Sequence, residues 1–394
     1  MDAFTTPLPK TWQKVRLGDI FFITAGGDLS KPHYSNTKQS DFNYPIYSNA
    51  IEKKGLYGYS SFFIIKNKSI TITARGTMGV AFFRDYPYVP IGRLLVLQPK
   101  ISNIDCRFYT EYINSKVKFN TEQTTIPQLT IPKVALCEIP LPPLNEQIAI
   151  ANILSALDRY LCSLDALILK KESVKKALRI KMLNQILASN GVEFRKLGDI
   201  ILSLKTGLNP RSFFKLNTPN ANNYYVTVRE LEEYTIKFTH QTDRIDDNAL
   251  SLCLKRSNLE KDDILFSGTG TIGKVSIIEK NPNNWAIKEG IYSIKPNKKI
   301  VFPRFLMFCF ESSNIQNDIK NKSFGGTVKS IPMNDLQQIQ IPLPPLNEQA
   351  AIANILSDVD SEITSLKNKK RQFENIKKAL NHDLMSAKIR VLKK

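Results

Sequence analysis

Two long stretches of the chain place apolar residues at alternating intervals of three and four, the spacing that lines one face of an α-helix. Each stretch follows a Pro-Leu-Pro-Pro run, lacks Gly and Pro, and begins near Leu144 or Leu346. Sustained heptads in both stretches predict that the two helices pack on each other as a coiled coil. The predicted seam consists of Leu154, Leu157, Leu161, Leu164, Ile168, Leu178 and Met182 in the first helix and of Leu356, Val359, Ile363, Leu366, Phe373, Leu380 and Leu384 in the second.

Both predicted helix starts belong to an internal repeat of the sequence. The segment IPLPPLNEQIAIANILSALD at residues 139–158 returns at 341–360 with three substitutions, and Leu-Gly-Asp-Ile occurs at 17–20 and again at 197–200. Between these segments the two copies differ far more, so one part of the surface was kept while another was free to vary. The repeat predicts a first globular domain, a spacer helix, a second globular domain and a second spacer helix, at residues 1–143, 144–190, 191–345 and 346–394.

The order of these regions predicts the direction of the helices. The first helix leaves the first globular region and arrives at the second, whereas the second helix starts from the second region. We therefore expect an antiparallel pair, forming a rod of roughly 60 to 65 Å with a globular region at each end, around a pseudo-twofold axis. An ordinary domain core or a dimerisation stalk would show the same heptads. Lys175 and Lys377 fall at core positions, where long side chains snorkel or the helices splay.

The globular regions are predicted to be of the α+β class, with β-rich cores. Short β-branched and aromatic runs lie between Gly, Asn and Pro residues, and helices are predicted over 108–117 and 303–320. Residues 268–274, GTGTIGK, match the patterns of dinucleotide-binding and phosphate-binding loops. However, Val275 stands where a phosphate-binding loop needs Ser or Thr, and the matching copy at 73–79, TARGTMG, lacks the lysine. The shared pattern therefore predicts a tight turn between two strands.

The balance of charges narrows the classes of partner. A formal charge of +19 at pH 7 favours a polyanion, with nucleic acid the first candidate and an anionic membrane surface the second. The five cysteines and three histidines are widely spaced, which favours neither a disulfide framework nor a metal site. No apolar run approaches the roughly 18 residues of a membrane span and no signal-peptide pattern opens the sequence, so we expect a cytoplasmic location. No catalytic set recurs in both copies, so the chain is predicted to be non-enzymatic.

Two sets of residues are candidates for function. Groups that contact base edges and phosphates lie in the variable regions, namely Lys31, His33, Tyr34, Tyr47, Asn49, Arg75, Thr77, Arg211, Arg229, Thr269, Thr271, Lys274 and Lys329. The second set opens the repeated helices and is expected to dock one kind of partner twice, namely Leu144, Glu146, Gln147, Leu346, Glu348 and Gln349. The competing interpretations are plain capping of the first helical turn for the two glutamates and an ordinary solvated surface for the basic residues.

These motifs and their order resemble the specificity subunit of type I restriction-modification systems over essentially the whole chain. The resemblance rests on the two Leu-Gly-Asp-Ile openings, the Gly-Thr-x-Gly turns, and the Ile-Pro-Leu-Pro-Pro-Leu-x-Glu-Gln run that leads into each helix. It implies that each globular region is a target-recognition domain that reads one half of a split DNA sequence, while the antiparallel helices set the distance between the halves. Since the two regions have diverged, we expect an asymmetric target.

The resemblance also implies partners. Each unit would recruit one modification subunit, which binds S-adenosylmethionine and methylates adenine, and restriction subunits with ATP and Mg would translocate and cleave the DNA. No cofactor and no metal are expected on this chain. From the residues alone, a coiled-coil adaptor that binds RNA or an anionic surface is the alternative, and a nucleotide-hydrolysing enzyme, resting on residues 268–274, is a third hypothesis.

Overall fold

Two compact units make up the protein. Its computed structural model covers residues 9–119, 127–188 and 192–391, without the side chains of 183–188, 211 and 212. Unit 1 is Met1–Ala166 together with Lys367–Lys394, and unit 2 is Leu167–Leu366. Each unit therefore joins one globular region to one part of each long helix.

The globular part of unit 1 is built mainly of strands. Its elements in chain order are β1 (Gln13–Arg16), α1 (Leu17–Ile20), β2 (Phe21–Ala25), β3 (Tyr34–Ser35), β4 (Tyr44–Tyr47), β5 (Leu56–Ser60), β6 (Ser69–Ile72), β7 (Ala81–Arg84), β8 (Val89–Pro90), β9 (Leu95–Pro99), α2 (Cys106–Lys116), α3 (Ile131–Ala135) and β10 (Glu138–Leu141). An antiparallel sheet has the order β2-β9-β6-β7, and a second sheet, β3-β5-β4-β8, contains one parallel pair, β4 with β8. Helix α2 packs on β6 and β7, and this contact buries Ile70, Leu97 and Phe108 in the core.

Unit 2 repeats this plan after the first long helix. The elements that follow are α4 (Leu144–Ala188), β11 (Glu193–Lys196), α5 (Leu197–Ile200), β12 (Ile201–Thr206), α6 (Pro210–Phe213), β13 (Asn223–Val226), β14 (Leu231–Glu232), β15 (Thr235–Ile236), β16 (Arg244–Ile245), α7 (Asp247–Ser257), β17 (Ile264–Ser267), β18 (Val275–Ile277), β19 (Trp285–Ile287), β20 (Ile291–Pro296), α8 (Pro303–Phe310), α9 (Ser313–Asn321), α10 (Met333–Gln337), β21 (Gln340–Leu343) and α11 (Leu346–Met385). The main sheet, β12-β20-β17-β18, is antiparallel, and the smaller sheet β16-β13-β19 again contains one parallel pair.

A two-stranded ladder with the same register closes each globular part. Strand β1 pairs with β10 from Gln13 opposite Leu141 onwards, and β11 pairs with β21 from Glu193 opposite Leu343 onwards. Each ladder joins the strand just before Leu-Gly-Asp-Ile to the strand just before a long helix. The matching sheet orders and ladders confirm the internal repeat and the α+β class.

The two long helices run antiparallel within each unit. In unit 1, Lys377 Nζ lies 2.6 Å from an Asp158 carboxylate oxygen, and Lys370 Nζ lies 2.6 Å from an Asp165 carboxylate oxygen. Because the residue numbers rise along α4 while they fall along α11, the helices point in opposite directions. The predicted seam positions with described side chains are all buried or half-buried, which confirms the heptad register.

The two core lysines form equivalent ion pairs rather than marking a point where the helices splay. In unit 2, Lys175 Nζ lies 2.6 Å from an Asp360 carboxylate oxygen, and the repeat aligns this pair with Lys377 and Asp158 of unit 1. Burial raises the pKa of the Asp360 carboxyl above its ordinary value, and Lys175 opposes that rise. Lys175 also donates to the Tyr234 hydroxyl at 2.6 Å, so it links the helices to the globular part of its unit.

The helices predicted within the globular regions need one correction. The one predicted over 108–117 is α2, but the stretch predicted as one helix over 303–320 is two, α8 and α9. The break falls at Ser312, whose extended backbone and hydroxyl cap α9 by accepting a hydrogen bond from the Ile315 N–H. A serine that caps a helix competes with continuation of the preceding one.

Candidate nucleic-acid interface

A tight turn joins the same two strands of the main sheet in both units. In unit 1 the Gly79 N–H donates to the Thr73 carbonyl at 2.8 Å, and in unit 2 the Gly273 N–H donates to the Ser267 carbonyl at 2.9 Å. Both glycines have a positive backbone φ angle, 85° and 89°, which residues other than glycine rarely adopt. The second turn leads into β18 and not into a helix, so it lacks the helix N-terminus of a phosphate-binding loop. The predicted turn between strands is confirmed.

Each turn is hydrogen-bonded to the segment that precedes the last short helix of its unit. The Leu129 N–H donates to the Ala74 carbonyl at 2.9 Å, and the Ile331 N–H donates to the Gly268 carbonyl at 2.9 Å. Six of the predicted DNA-contacting residues lie in or beside these turns and are exposed, so they form one exposed surface in each unit. These residues are Arg75 and Thr77 in unit 1 and Thr269, Thr271, Lys274 and Lys329 in unit 2.

Another group of predicted residues lies beside the second sheet of unit 1. Lys31 and His33 are exposed, and Tyr34 is half-buried. The His33 ring packs edge-on against Phe62 at 5.2 Å, and its Nδ1 lies 2.7 Å from the Ser61 hydroxyl. This exposed basic and aromatic surface is able to contact both phosphates and bases.

The structure buries Tyr47, which corrects its assignment as a base-contacting residue, whereas Asn49 is half-buried and its contact with DNA stays a prediction. Tyr47 is buried, with the Arg84 guanidinium 3.6 Å from its ring centre, and burial raises the pKa of its hydroxyl. The Asn49 amide donates to the Gly92 carbonyl at 2.6 Å and accepts from the Ala74 N–H at 2.7 Å, so it holds two loops together. These contacts stabilise the fold, and they use one donor and one acceptor of the Asn49 amide.

The two arginines predicted in unit 2 have different environments. Arg229 is exposed and its guanidinium lies 2.7 Å from an Asp243 carboxylate oxygen, so a contact with phosphate would have to compete with this ion pair. Arg211 belongs to α6, but its side chain lies outside the described residues.

Gln147 holds the start of α4 on the globular part of unit 1. Its Oε1 accepts a hydrogen bond from the Asp105 N–H at 2.9 Å. Its Nε2 donates to the carbonyls of Asn103 and Pro142 at 3.0 and 2.8 Å. The side chain is fully buried, so it connects the helix to the loop before α2.

Gln349 makes the same three bonds in unit 2. Its Oε1 accepts from the Phe302 N–H at 2.8 Å, and its Nε2 donates to the carbonyls of Ile300 and Pro344 at 3.2 and 2.8 Å. This geometry corrects the expectation that Gln147 and Gln349 face a partner, because their side chains lie in the interior. The two glutamines recur in the sequence because each one fastens a long helix to the globular part of its unit.

The two repeated glutamates differ although their neighbouring sequences are the same. Glu146 is only 2% exposed, and its carboxylate accepts from the Trp12 indole N–H at 3.0 Å and from two guanidinium nitrogens of Arg390 at 2.7 and 3.1 Å. Glu348 is exposed. The chain's own first and last described segments thus cover Glu146, whereas Glu348 is accessible to a partner. Leu144 is half-buried and Leu346 is exposed.

Replacing Arg390 with alanine is expected to lower the free energy of unfolding by about 1–3 kcal/mol, because the buried Glu146 carboxylate would lose two charge-assisted hydrogen bonds. Thermal denaturation followed by circular dichroism measures this change. The matched control is Glu348→Ala, which alters the equivalent exposed glutamate and should change the stability by less than about 0.5 kcal/mol. Equal losses in both variants would show that the Arg390 contact contributes nothing.

Two repeated isoleucines escaped the sequence analysis. Ile153 and Ile355 occupy the same position in the two copies and are 37% and 44% exposed. They look like core residues in an apolar helix, and the only signal in the sequence is that the segment around them is kept in both copies. A large apolar side chain that is exposed twice at equivalent positions indicates a contact surface.

No group of three or more His, Cys, Asp or Glu side chains in the described parts of the chain is arranged to hold a metal ion. Among the helices within residues 9–119, 127–188 and 192–391, none is long and apolar enough to cross a membrane.

Comparison with known proteins identifies the class. The model of the type I restriction modification DNA specificity domain matches residues 9–171 and again 189–375. A putative type I restriction enzyme MjaX specificity subunit of Methanocaldococcus jannaschii is 30% identical over 263 residues, which span 64% of this chain and 60% of that protein. The MjaVIII specificity subunit of the same organism is 24% identical over 417 residues, spanning 98% of this chain and 94% of that protein.

A solved structure shares the fold. The S subunit of a type I restriction-modification system from M. genitalium superposes with a TM-score of 0.66 at 18% identity, covering 97% of this chain and 98% of that one. The two strand-rich units with their antiparallel helices are thus a duplicated fold that the two proteins share. The chain belongs to the type I restriction-modification DNA specificity family and carries two of its domains. Recognition of a DNA target is the function of this class.

Proposed function

We propose that the chain reads a bipartite, asymmetric DNA sequence, with one half-site contacted by each unit. The observation that carries this proposal is the exposed turn repeated in both units. Thr77 and Thr271 are equivalent and identical, but Arg75 stands where the second copy has Thr269, and Val80 stands where it has Lys274. These groups lie in equivalent turns between the strands of the main sheet, and two of the equivalent positions differ in chemistry. Different donors and acceptors on equivalent turns favour different bases.

The helices supply the distance between half-sites in this proposal. Ion pairs hold α4 and α11 antiparallel in both units, and a paired helix resists bending better than a single one. The surplus of basic residues would neutralise phosphates along the duplex and give binding a steep dependence on salt.

The starts of the long helices are the proposed docking sites for two methyltransferase subunits. Leu346, Glu348 and Ile355 are exposed in unit 2, and Ile153 is exposed in unit 1. Apolar groups beside an accessible carboxylate are typical of a protein contact with a polar rim. In this proposal the chain itself is not catalytic. S-adenosylmethionine is bound by the modification subunits, and ATP with Mg by the restriction subunits.

Deleting the gene is expected to remove adenine methylation at one split, asymmetric motif and at no other. Long-read sequencing of genomic DNA, with and without the gene, measures this directly. Restoring the gene should restore the motif, which controls for secondary changes in the host. A methylation pattern that is identical in both strains, while the modification subunits are expressed, would contradict the proposal.

A further inference from the structure

A short hairpin in unit 2 projects next to the tight turn at residues 268–273. Phe324 and Ser330 exchange both backbone hydrogen bonds, at 2.9 and 2.8 Å, and five residues connect them. The first of these, Gly325, has φ of 119°, and a Cβ there would lie 2.3 Å from the Val328 carbonyl oxygen. Only glycine fits at position 325, so this conformation of the turn depends on it.

Backbone contacts fasten the hairpin to the tight turn. The Gly270 N–H donates to the Lys329 carbonyl at 2.8 Å, and Thr269 forms a β-bridge with Ser330. The hairpin and the turn therefore form one surface, which carries Thr269, Thr271 and Lys274 of the proposed DNA interface.

The tip of this hairpin is apolar and exposed. Phe324, in the pair that closes the hairpin, is 60% exposed, and Val328, in the connection, is 61% exposed; residues 324–328 form the tip. Neither side chain belongs to a core cluster in the described part of unit 2, so packing of the core does not explain them. Two large apolar side chains that are exposed on one short hairpin indicate a surface that becomes buried on binding.

The charge around the tip is positive. Residues 268–274 and 320–330 contain four lysines, at positions 274, 320, 322 and 329, and no carboxylate. Lysines beside an apolar tip, of which Lys322 lies 4.0 Å from an Asp318 carboxylate oxygen, are complementary to a polyanion with an apolar interior. Duplex DNA has phosphates outside and stacked bases inside. The threonines on the same surface are able to pair with base edges. An anionic membrane would match the charge and the apolar tip but would leave those threonines without a role.

We propose that this hairpin is a wedge that enters a groove of the DNA half-site contacted by unit 2 and partly unstacks one base step. The Phe324 ring lies against an exposed base face, Val328 fills the space beside it, and the flanking lysines contact the phosphates on either side. The inference rests on the proposed function and adds a residue-level mechanism, in which the deformability of one base step contributes to specificity.

The test uses the full chain assembled with its methyltransferase subunits and a duplex that carries the mapped target. 2-Aminopurine replaces one base at a time across each half-site, and its fluorescence rises where stacking is lost. We expect a rise in one half-site, at a position other than the methylated adenine. Phe324→Ala should abolish that rise and weaken binding roughly 5- to 100-fold. It should leave the salt dependence unchanged, because no charge is removed.

Phe194→Ala is the matched control, since Phe194 is an exposed phenylalanine of the same unit on β11. It should behave as the wild type in both measurements. If the wild type binds its target specifically but Phe324→Ala matches Phe194→Ala, the wedge is refuted while the proposed function stands. If the wild type shows no specific DNA binding, both are refuted. Phe324-dependent binding to phosphatidylserine vesicles, with target binding unaffected by the substitution, would assign the tip to a membrane instead.

Discussion

Replacing Gln349 with alanine is expected to lower the free energy of unfolding by roughly 2–4 kcal/mol, because the substitution removes the hydrogen-bond partner of one buried and two half-buried backbone groups. Its amide satisfies the Phe302 N–H and the carbonyls of Ile300 and Pro344. Thermal denaturation followed by circular dichroism measures the change, and Gln147→Ala should produce a similar loss through unit 1.

The neighbouring glutamate provides the control for this prediction. Glu348 precedes Gln349 in the same helical turn but is exposed, so Glu348→Ala should have little effect on stability. Gln349→Glu is informative as well, since an ionised carboxylate would face two carbonyl oxygens. That variant should be less stable at neutral pH than at acidic pH, where its protonated form donates one hydrogen bond. A melting temperature for Gln349→Ala equal to that of Glu348→Ala would refute the proposed role of the amide.

Lengthening both long helices by one heptad is expected to abolish methylation at the native target and to move it to the same half-sites with a longer spacer. Seven residues add about 10 Å to a helix, which corresponds to about three base pairs of rise. The insertions belong between Ala166 and Leu167 in α4 and between Leu366 and Lys367 in α11. Both points lie at the boundary of the two units, so the contacts inside each unit are kept. A whole heptad also keeps the seam in phase.

A substitution variant separates length from sequence in this experiment. The same seven-residue sequence replaces the seven residues after Ala166, and those after Leu366, without changing the length of either helix. This control should methylate the native target. Long-read sequencing of DNA from cells that carry each variant measures the spacer. Methylation at the original spacing in the insertion variant would show that the helices do not set the distance.

Much of the fold could be predicted because its signals are local. The starts of the long helices at Leu144 and Leu346 follow from proline runs, and the seam follows from a spacing of three and four. The tight turn at Gly268–Gly273 was recognised as a turn because a strand-like run follows it and because its copy at 73–79 lacks the lysine. Such features depend on residues within a few positions of one another.

The candidate site was predicted less well, since burial depends on contacts between distant parts of the chain. Tyr47 and Asn49 carry groups that contact DNA in many proteins. Here the Arg84 guanidinium lies over the Tyr47 ring, and the Asn49 amide donates to the Gly92 carbonyl. Phe324 was overlooked because an apolar residue in a sequence suggests a core position. Its exposure becomes evident only when the hairpin and its neighbours are placed together.

The sequence by itself determined that the protein is duplicated, that two long helices pair through heptads, and that each globular region has a β-rich core. Repeats, periodicity and the backbone limits of proline and glycine are sufficient for these conclusions. Only the tertiary structure decided which of the repeated groups is accessible. Glu146 and Glu348 lie in the same local sequence, yet one is buried by Trp12 and Arg390 and the other is exposed. Residues more than a hundred positions away in the chain make that difference, and no local pattern encodes them.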